Sequence, residues 1–346
     1  MAKAKDGMDL FFSQTGEFTQ KHITREAGRS EHLQTLYMRG LSVFYDYIKD
    51  VRKIDPLEFK FTDCTHRFLS DYVQYLREDA EYKESTVKSM LSSIKEYLKY
   101  VSDGNHVWAS VYLSAKRVTT PSAPKKMKSV VEKDDLKDFF NAPKNSWLGN
   151  RDRFILIFLY DTGFRVGEVE KLTLGDIQFD NDDISIIVDG KGRKERCIEL
   201  SSNCVEHMRK YLDTYHEGQF EDSSRPLFYS KIHGVVHPMS ARNIQKIVHK
   251  YGAIAHSNNP NIPESITPHT LRRTCGTVMY QDGVPIEQVS AFLGHSKIQT
   301  TQDHYARPSR VQLKEAAEKG GQNIPRIKES GKVSIGDVKK KLGLCK

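Results

Sequence analysis

TPHTLRR, residues 267–273, is the stretch on which the reading of this chain turns. Thr267 is a natural helix N-cap and Pro268 a natural first helical residue, so the sequence predicts a helix from Pro268 to Gln281. His269 and Arg272 then stand at i and i+3, on one face of the first turn. A helix start carries unpaired amides and positive dipole, which favour a phosphate nearby. Arg273 points elsewhere on the helix and reads as a structural residue or a contact to a phosphate backbone.

TGFRVGEVEKL (162–172) places Arg165 just beyond a helix that Gly163 closes, with Glu168 three residues later. DGKGRKER (189–196) is a turn signal between two short apolar runs and holds Lys191, Arg193 and Lys194. LGHSKIQTT (293–301) displays His295 after the helix stop at Gly294, and Tyr305 follows ten places further on. Two guanidiniums can grip the non-bridging oxygens of one phosphate, imidazoles can bond it and manage protons, a lysine can protonate a leaving oxygen, and a tyrosine can become covalently attached. The set can therefore hold, neutralise and attack a phosphodiester. His269, His295 and His304 do not read as a metal site, because the interleaved arginines repel a cation and no cysteine or carboxylate completes a tetrahedral set; no metal and no cofactor are expected.

These segments, in this order from about Lys126 to Tyr305, resemble the tyrosine recombinases, also called the phage integrase family. The resemblance implies roles for Arg165, Lys191, His269, Arg272, His295 and Tyr305 as the catalytic set. Tyr305 would be the nucleophile, Lys191 the general acid, and Glu168 a support that orients an arginine or histidine. It implies double-stranded DNA recombination sites as the partner and a homo-tetramer on two such sites. The product of the first step would be a 3′-phosphotyrosyl link, made without metal or nucleotide. A type IB topoisomerase-like enzyme is the nearest rival by chemistry, and an accessory DNA-binding protein without catalysis the rival by class. Within the family, a mobile-element integrase or transposase is favoured by the C-terminal extension, with a Xer-like dimer-resolving recombinase as the alternative. The stretch before Ser30 is too short for a full additional arm-site-binding domain.

Composition agrees with a DNA partner without demanding it. The chain has 346 residues, 28% of them charged, a formal net charge of +8 and a pI near 9.0. The five cysteines are widely spaced with no CxxC pair, and read as reduced thiols. The longest apolar run, Phe154 to Tyr160, is far short of the roughly 20 residues that span a bilayer, and the N-terminus has no secretory h-region. No membrane association is expected, and the location is expected to be cytoplasmic, with the nucleoid.

The predicted fold class is mainly α with a small antiparallel sheet. Apolar residues recur at steps of three and four over Ser30 to Val51, Thr62 to Ala80 and Glu84 to Val101, each marking a buried helical stripe. A shorter helix near Val107 to Lys116 completes an N-terminal bundle of the core-binding, SAM-like type. Lys88, Lys95 and Lys99 share the other face of the third helix and, given the resemblance, are assigned to DNA. KRVTTPSAPKKMKS (116–129) is aperiodic and rich in Pro, Ser and Lys, a linker whose Lys125 and Lys126 would cross the DNA backbone. Arg193, Lys194 and Arg273 join these as DNA-contact candidates. The expected division is a helical DNA-binding domain at 1–117, a linker at 118–130, a catalytic domain with a C-terminal helix at 131–320, and a basic extension at 321–346. Helices are predicted at Glu132–Asn141, Asp152–Thr162, Asn203–Tyr215, Ser240–Ala255 and Pro285–Leu293, with strands at Ile184–Val188 and Cys197–Leu200.

Overall fold

The structure, a computed structural model, describes residues 9–20, 31–120, 129–189, 195–295 and 297–305, with short stretches at 313–314, 317–318 and Lys340. Lys125, Lys126, Lys191, Arg193 and Lys194 lie outside the described residues, as does most of the chain after Tyr305. Two compact units form, Met1–Met127 and Lys128–Lys346. Among the described residues no helix is long and apolar enough to cross a membrane.

The first unit is built on α1 (Glu31–Asp46), α2 (His66–Glu78), α3 (Glu84–Gly104) and α4 (Ala109–Arg117). The predicted stripes supply most of its core: Leu41 and Phe44 from α1, Phe68 and Tyr72 from α2, and Val87, Leu91, Ile94, Leu98 and Val101 from α3 are all buried, whereas Val51, the last position of the first stripe, is exposed. The periodicity of the first segment runs past Asp46 because a π-helical turn, Tyr47–Val51, continues it and buries Ile48. α1 and α3 cross closely at Gly40, where an added Cβ would lie 2.4 Å from Ser93 Oγ, so only a residue without a side chain fits.

The face of α3 assigned to DNA is not uniform. Lys88 and Lys99 are exposed. Lys95 instead folds back over α4, its Nζ donating to the carbonyl of Val118 at 2.5 Å and to that of Lys116 at 3.5 Å. Lys95 thus closes the negative end of α4, a contact by which it differs from the two exposed lysines.

The second unit contains α5 (Leu136–Asn141), α6 (Trp147–Thr162), α7 (Val166–Val169), β1 (Ile177–Asp180), β2 (Asp183–Asp189), β3 (Glu195–Glu199), α8 (Ser202–Tyr215), β4 (Tyr229–Ile232), β5 (Val235–Pro238), α9 (Ala241–Asn258), α10 (Pro268–Gln281), α11 (Ile286–Leu293) and α12 (Ile298–Tyr305). α6 is apolar nearly all round and buries Phe154, Ile155, Leu156, Phe158 and Leu159, as a central helix must. It starts earlier than periodicity indicates because Ser146 Oγ caps the Gly149 amide at 3.1 Å. Among the described residues two antiparallel sheets occur where one was expected: β1–β2–β3, with Val188 opposite Arg196, and a separate β4–β5 hairpin. The strands missed are four residues each, too short to declare an alternation.

Candidate active site

Two left-handed helix ends and one capped helix start meet at a single place. α6 ends at Gly163, φ +57°, and the chain turns through Phe164 so that Arg165 becomes the N-cap of α7. Glu168 closes that cap, accepting from the Arg165 amide at 2.7 Å and from Arg165 Nη1 at 2.9 Å. α11 ends in the paired bonds of a Schellman turn, with the His295 amide donating to Ser290 O at 3.0 Å and the Gly294 amide to Ala291 O at 2.9 Å. That turn leaves the Leu293 carbonyl without a helical partner, and two arginines take it. Arg196 Nη1 donates to Leu293 O at 3.1 Å, and Arg272 Nη2 donates to the same oxygen. Arg272 Nη1 also bonds Gly163 O, and Arg165 Nη2 reaches Gly294 O at 3.4 Å.

The charge at this turn is lopsided. The guanidiniums of Arg165, Arg196 and Arg272 converge there, and the carboxylate bonded among them is Glu168, whose Oε2 takes Arg196 Nη2 at 2.9 Å. Arg272 is 1% exposed, and burial pulls its pKa below the usual arginine value, with the positive charge of Arg165 adding to the effect. Arg196 is lowered as well, chiefly by burial, against the opposing pull of Glu168. Arginine stays charged regardless, so an anion entering here relieves a cost already built into the fold.

An open cleft of about 470 Å³ is lined by Arg165, Thr267, His269 and Arg272, together with Gln245 and His249 from α9. His269 is exposed on the first turn of α10, with Thr267 Oγ1 capping Thr270 at 3.1 Å. His295 is half-buried, its Nδ1 2.8 Å from Thr301 Oγ1 and its ring centroid 5.4 Å from that of Tyr305. Tyr305 is 1% exposed, packed with Val289 and Leu293, and close enough to Arg272 to favour the arginine's charged form. Among the described residues no group of His, Cys, Asp or Glu is arranged to hold a metal ion.

The structure thus brings Arg165, Glu168, His269, Arg272, His295 and Tyr305 into one region. Arg273 does not join them. It is 6% exposed and its Nη1 donates to Ser129 O at 2.8 Å, in keeping with the structural side of its sequence reading. The sequence reading missed Arg196, Gln245 and His249. For Arg196 a signal existed: in β3 and the residue after it, Ile198 and Leu200 are buried while Cys197 and Glu199 are exposed. Period-two alternation therefore puts an arginine on the inward face.

The chain is similar to known proteins. Residues 129–311, more than half of the chain, match the phage integrase family. A tyrosine recombinase XerD of Staphylococcus epidermidis is 29% identical over 84% of this chain and 93% of its own length. A tyrosine recombinase XerA of Pyrococcus horikoshii is 27% identical over 84% and 88% respectively. The fold is similar to that of the XerH site-specific recombinase bound to a palindromic difH substrate, with a TM-score of 0.65 and 19% identity over 82% of this chain and 79% of that one. It is also similar to the Tn1549 transposon integrase in complex with transposon right end DNA, with a TM-score of 0.61 and 14% identity over 90% and 99%. The chain belongs to the phage integrase family, the tyrosine recombinases.

Proposed function

We propose that this protein is a site-specific DNA recombinase that cuts and rejoins strands through a 3′-phosphotyrosyl link to Tyr305. The observation that carries the proposal is the convergence of Arg165, Arg196 and Arg272 on the Leu293–Gly294 turn against the one bonded carboxylate of Glu168, beside a tyrosine. A scissile phosphate in the cleft supplies the missing negative charge. Preorganised guanidiniums are the donors best suited to charge that grows on its non-bridging oxygens in the transition state.

In the first step Tyr305 Oη attacks phosphorus, the bond to the 5′ oxygen breaks, and the tyrosine proton passes to His269. Lys191 returns a proton to the departing 5′ oxygen, Arg165 and Arg272 neutralise the equatorial oxygens, and His295 steadies the phosphate. The phosphodiester bond energy is kept in the phosphotyrosyl ester, and a 5′-hydroxyl of a partner duplex reverses the step. Because Tyr305 is 1% exposed, its ring must turn outward before it meets a phosphate. The exposed Lys88 and Lys99 of the first unit, together with Lys125, Lys126, Arg193 and Lys194, supply backbone contacts. The acting species is a tetramer on two DNA sites in the cytoplasm.

A duplex nicked near the cleavage point tests this directly. The wild-type chain should accumulate a covalent protein–DNA adduct in the presence of EDTA, and Tyr305→Phe should form none while binding the site as well. An adduct with Tyr305→Phe sinks the assignment. We favour integration or transposition of a mobile element; dimer resolution is the second reading, favoured by XerD relatives that match 84% of the chain. Sequencing DNA held covalently by Tyr305 in cells separates the two, since element ends answer to the first and one chromosomal locus to the second.

A further inference from the structure

We propose that Arg196 is a positioning residue of the catalytic centre, holding Arg165 and the turn that carries His295 in register with one another. The proposal rests on the recombinase reading above and goes beyond the catalytic set named there. One Arg196 nitrogen, Nη2, donates to Glu168 Oε2 at 2.9 Å, and Glu168 in turn holds Arg165 through both its amide and its Nη1. The other, Nη1, donates to Leu293 O at 3.1 Å, two residues before His295. The guanidinium lies over the Phe164 ring at 5.2 Å, so its plane is fixed by the residue that precedes Arg165. Its side chain is only 15% exposed, and burial keeps the charge dependent on these partners.

The placement of Arg196 adds a second consequence. It stands opposite Val188 in the β2–β3 ladder, and Lys191 falls in the sequence between these two strands. β3 is thereby tied to α7 and to the end of α11 through one side chain. A planar fork with two separated nitrogens can do this; an ammonium, with a single donor centre, cannot satisfy both Glu168 and Leu293 at once. Arg196 itself contributes through Arg165 and the Gly294 turn, and so acts on the step in which phosphate charge is stabilised.

The experiment measures single-turnover adduct formation on a nicked duplex, beside DNA affinity, for wild type and Arg196→Ala. On an ordinary phosphate, Arg196→Ala should slow cleavage about 10- to 100-fold, the scale of a small misplacement at a catalytic group. Affinity should stay within about threefold, since binding is carried by other contacts. The deciding measurement repeats cleavage with a methylphosphonate at the scissile position, which removes one non-bridging charge and with it part of the need for Arg165. The gap between wild type and variant should then narrow to under about fivefold. An unchanged gap on both substrates, or wild-type cleavage by Arg196→Ala on phosphate, overturns the proposal. Should Arg196→Ala fail to fold, Arg196→Gln, which retains an amide donor and the packing stem, carries the same two measurements. A wild-type chain that forms no adduct on phosphate overturns the recombinase reading, and the proposal with it.

Discussion

Thr301 Oγ1 lies 2.8 Å from His295 Nδ1, and Thr301 is fully buried on the same helix that ends in Tyr305. One hydroxyl thus fixes the orientation of the imidazole and couples the His295 turn to α12. With Nδ1 engaged, the phosphate contact proposed for His295 would be made through Nε2. Thr301→Val keeps the shape and removes the hydroxyl, so the expected loss is about 1–2 kcal/mol of transition-state stabilisation, or roughly tenfold in adduct formation. DNA affinity should be unaltered. Single-turnover cleavage alongside a binding titration checks this, and an equal loss in both would place the effect on the fold instead.

Gly294 tolerates no side chain, for two separate reasons. Its φ of +63° is costly for any residue with a Cβ, and a Cβ there would lie 1.9 Å from Arg196 Nη1. A flexible arginine tip could ordinarily move aside, but this one is held by Glu168 and Leu293. Gly294→Ala is expected to cost about 1–3 kcal/mol in stability and to reduce cleavage at least tenfold. Gly167→Ala is the matched control, because nothing lies within 4 Å of a Cβ at that position. Equal behaviour of the two variants in thermal melting and cleavage would count against the turn's importance.

The lysines of α3 separate into two kinds, which salt titration can distinguish. Lys88 and Lys99 are exposed, and replacing both by Ala should lower the slope of log affinity against log salt by roughly two. Lys95 is bound to the carbonyls of Lys116 and Val118, and burial lowers its pKa. Lys95→Ala should leave the salt slope unchanged and cost up to about 1 kcal/mol in stability through the lost cap on α4. A Lys95→Ala slope as shallow as that of the double variant would return Lys95 to the DNA face.

What the sequence disclosed and what it withheld divide along physical lines. Helix starts were legible because caps are local: Thr267 and Pro268 mark α10 at the residue where it begins. Long amphipathic helices were legible because α3 repeats its apolar stripe over several turns. The site was legible as residue types in order. The exposed lysines and Lys95 look alike in sequence, since what distinguishes Lys95 is a carbonyl at Val118, 23 positions away. For Arg196, strand alternation gives the inward face but not the partners, since Glu168 and Leu293 are 28 and 97 positions distant.

The second unit also carries a titratable group away from the cleft. His216 is fully buried at the end of α8, with Nε2 2.9 Å from Leu227 O and Nδ1 accepting from Arg225 Nε at 3.1 Å. A nitrogen that accepts from a guanidinium cannot carry a proton, so the ring is the neutral Nε2–H tautomer. Burial lowers its pKa below 6.5, the Leu227 carbonyl opposes this, and the Arg225 charge reinforces it. The rings of Tyr211 at 5.5 Å and Tyr229 at 5.3 Å enclose it, with Arg225 over the Tyr229 face at 4.9 Å. Above the unfolded value of 6.5 the ring is neutral in both states and the stability is fully present. As pH falls from there toward the lower folded value, the unfolded chain takes up a proton that the fold refuses. Stability is then lost at up to about 1.4 kcal/mol per pH unit. His207, which burial also lowers, contributes to the same window, so the comparison must be made by variant. His216→Gln, which keeps one donor and one acceptor, should flatten the fall in urea midpoint between pH 7 and pH 5 by up to one proton's worth. A variant whose midpoint falls as steeply as that of the wild type would show that His216 is not the group responsible.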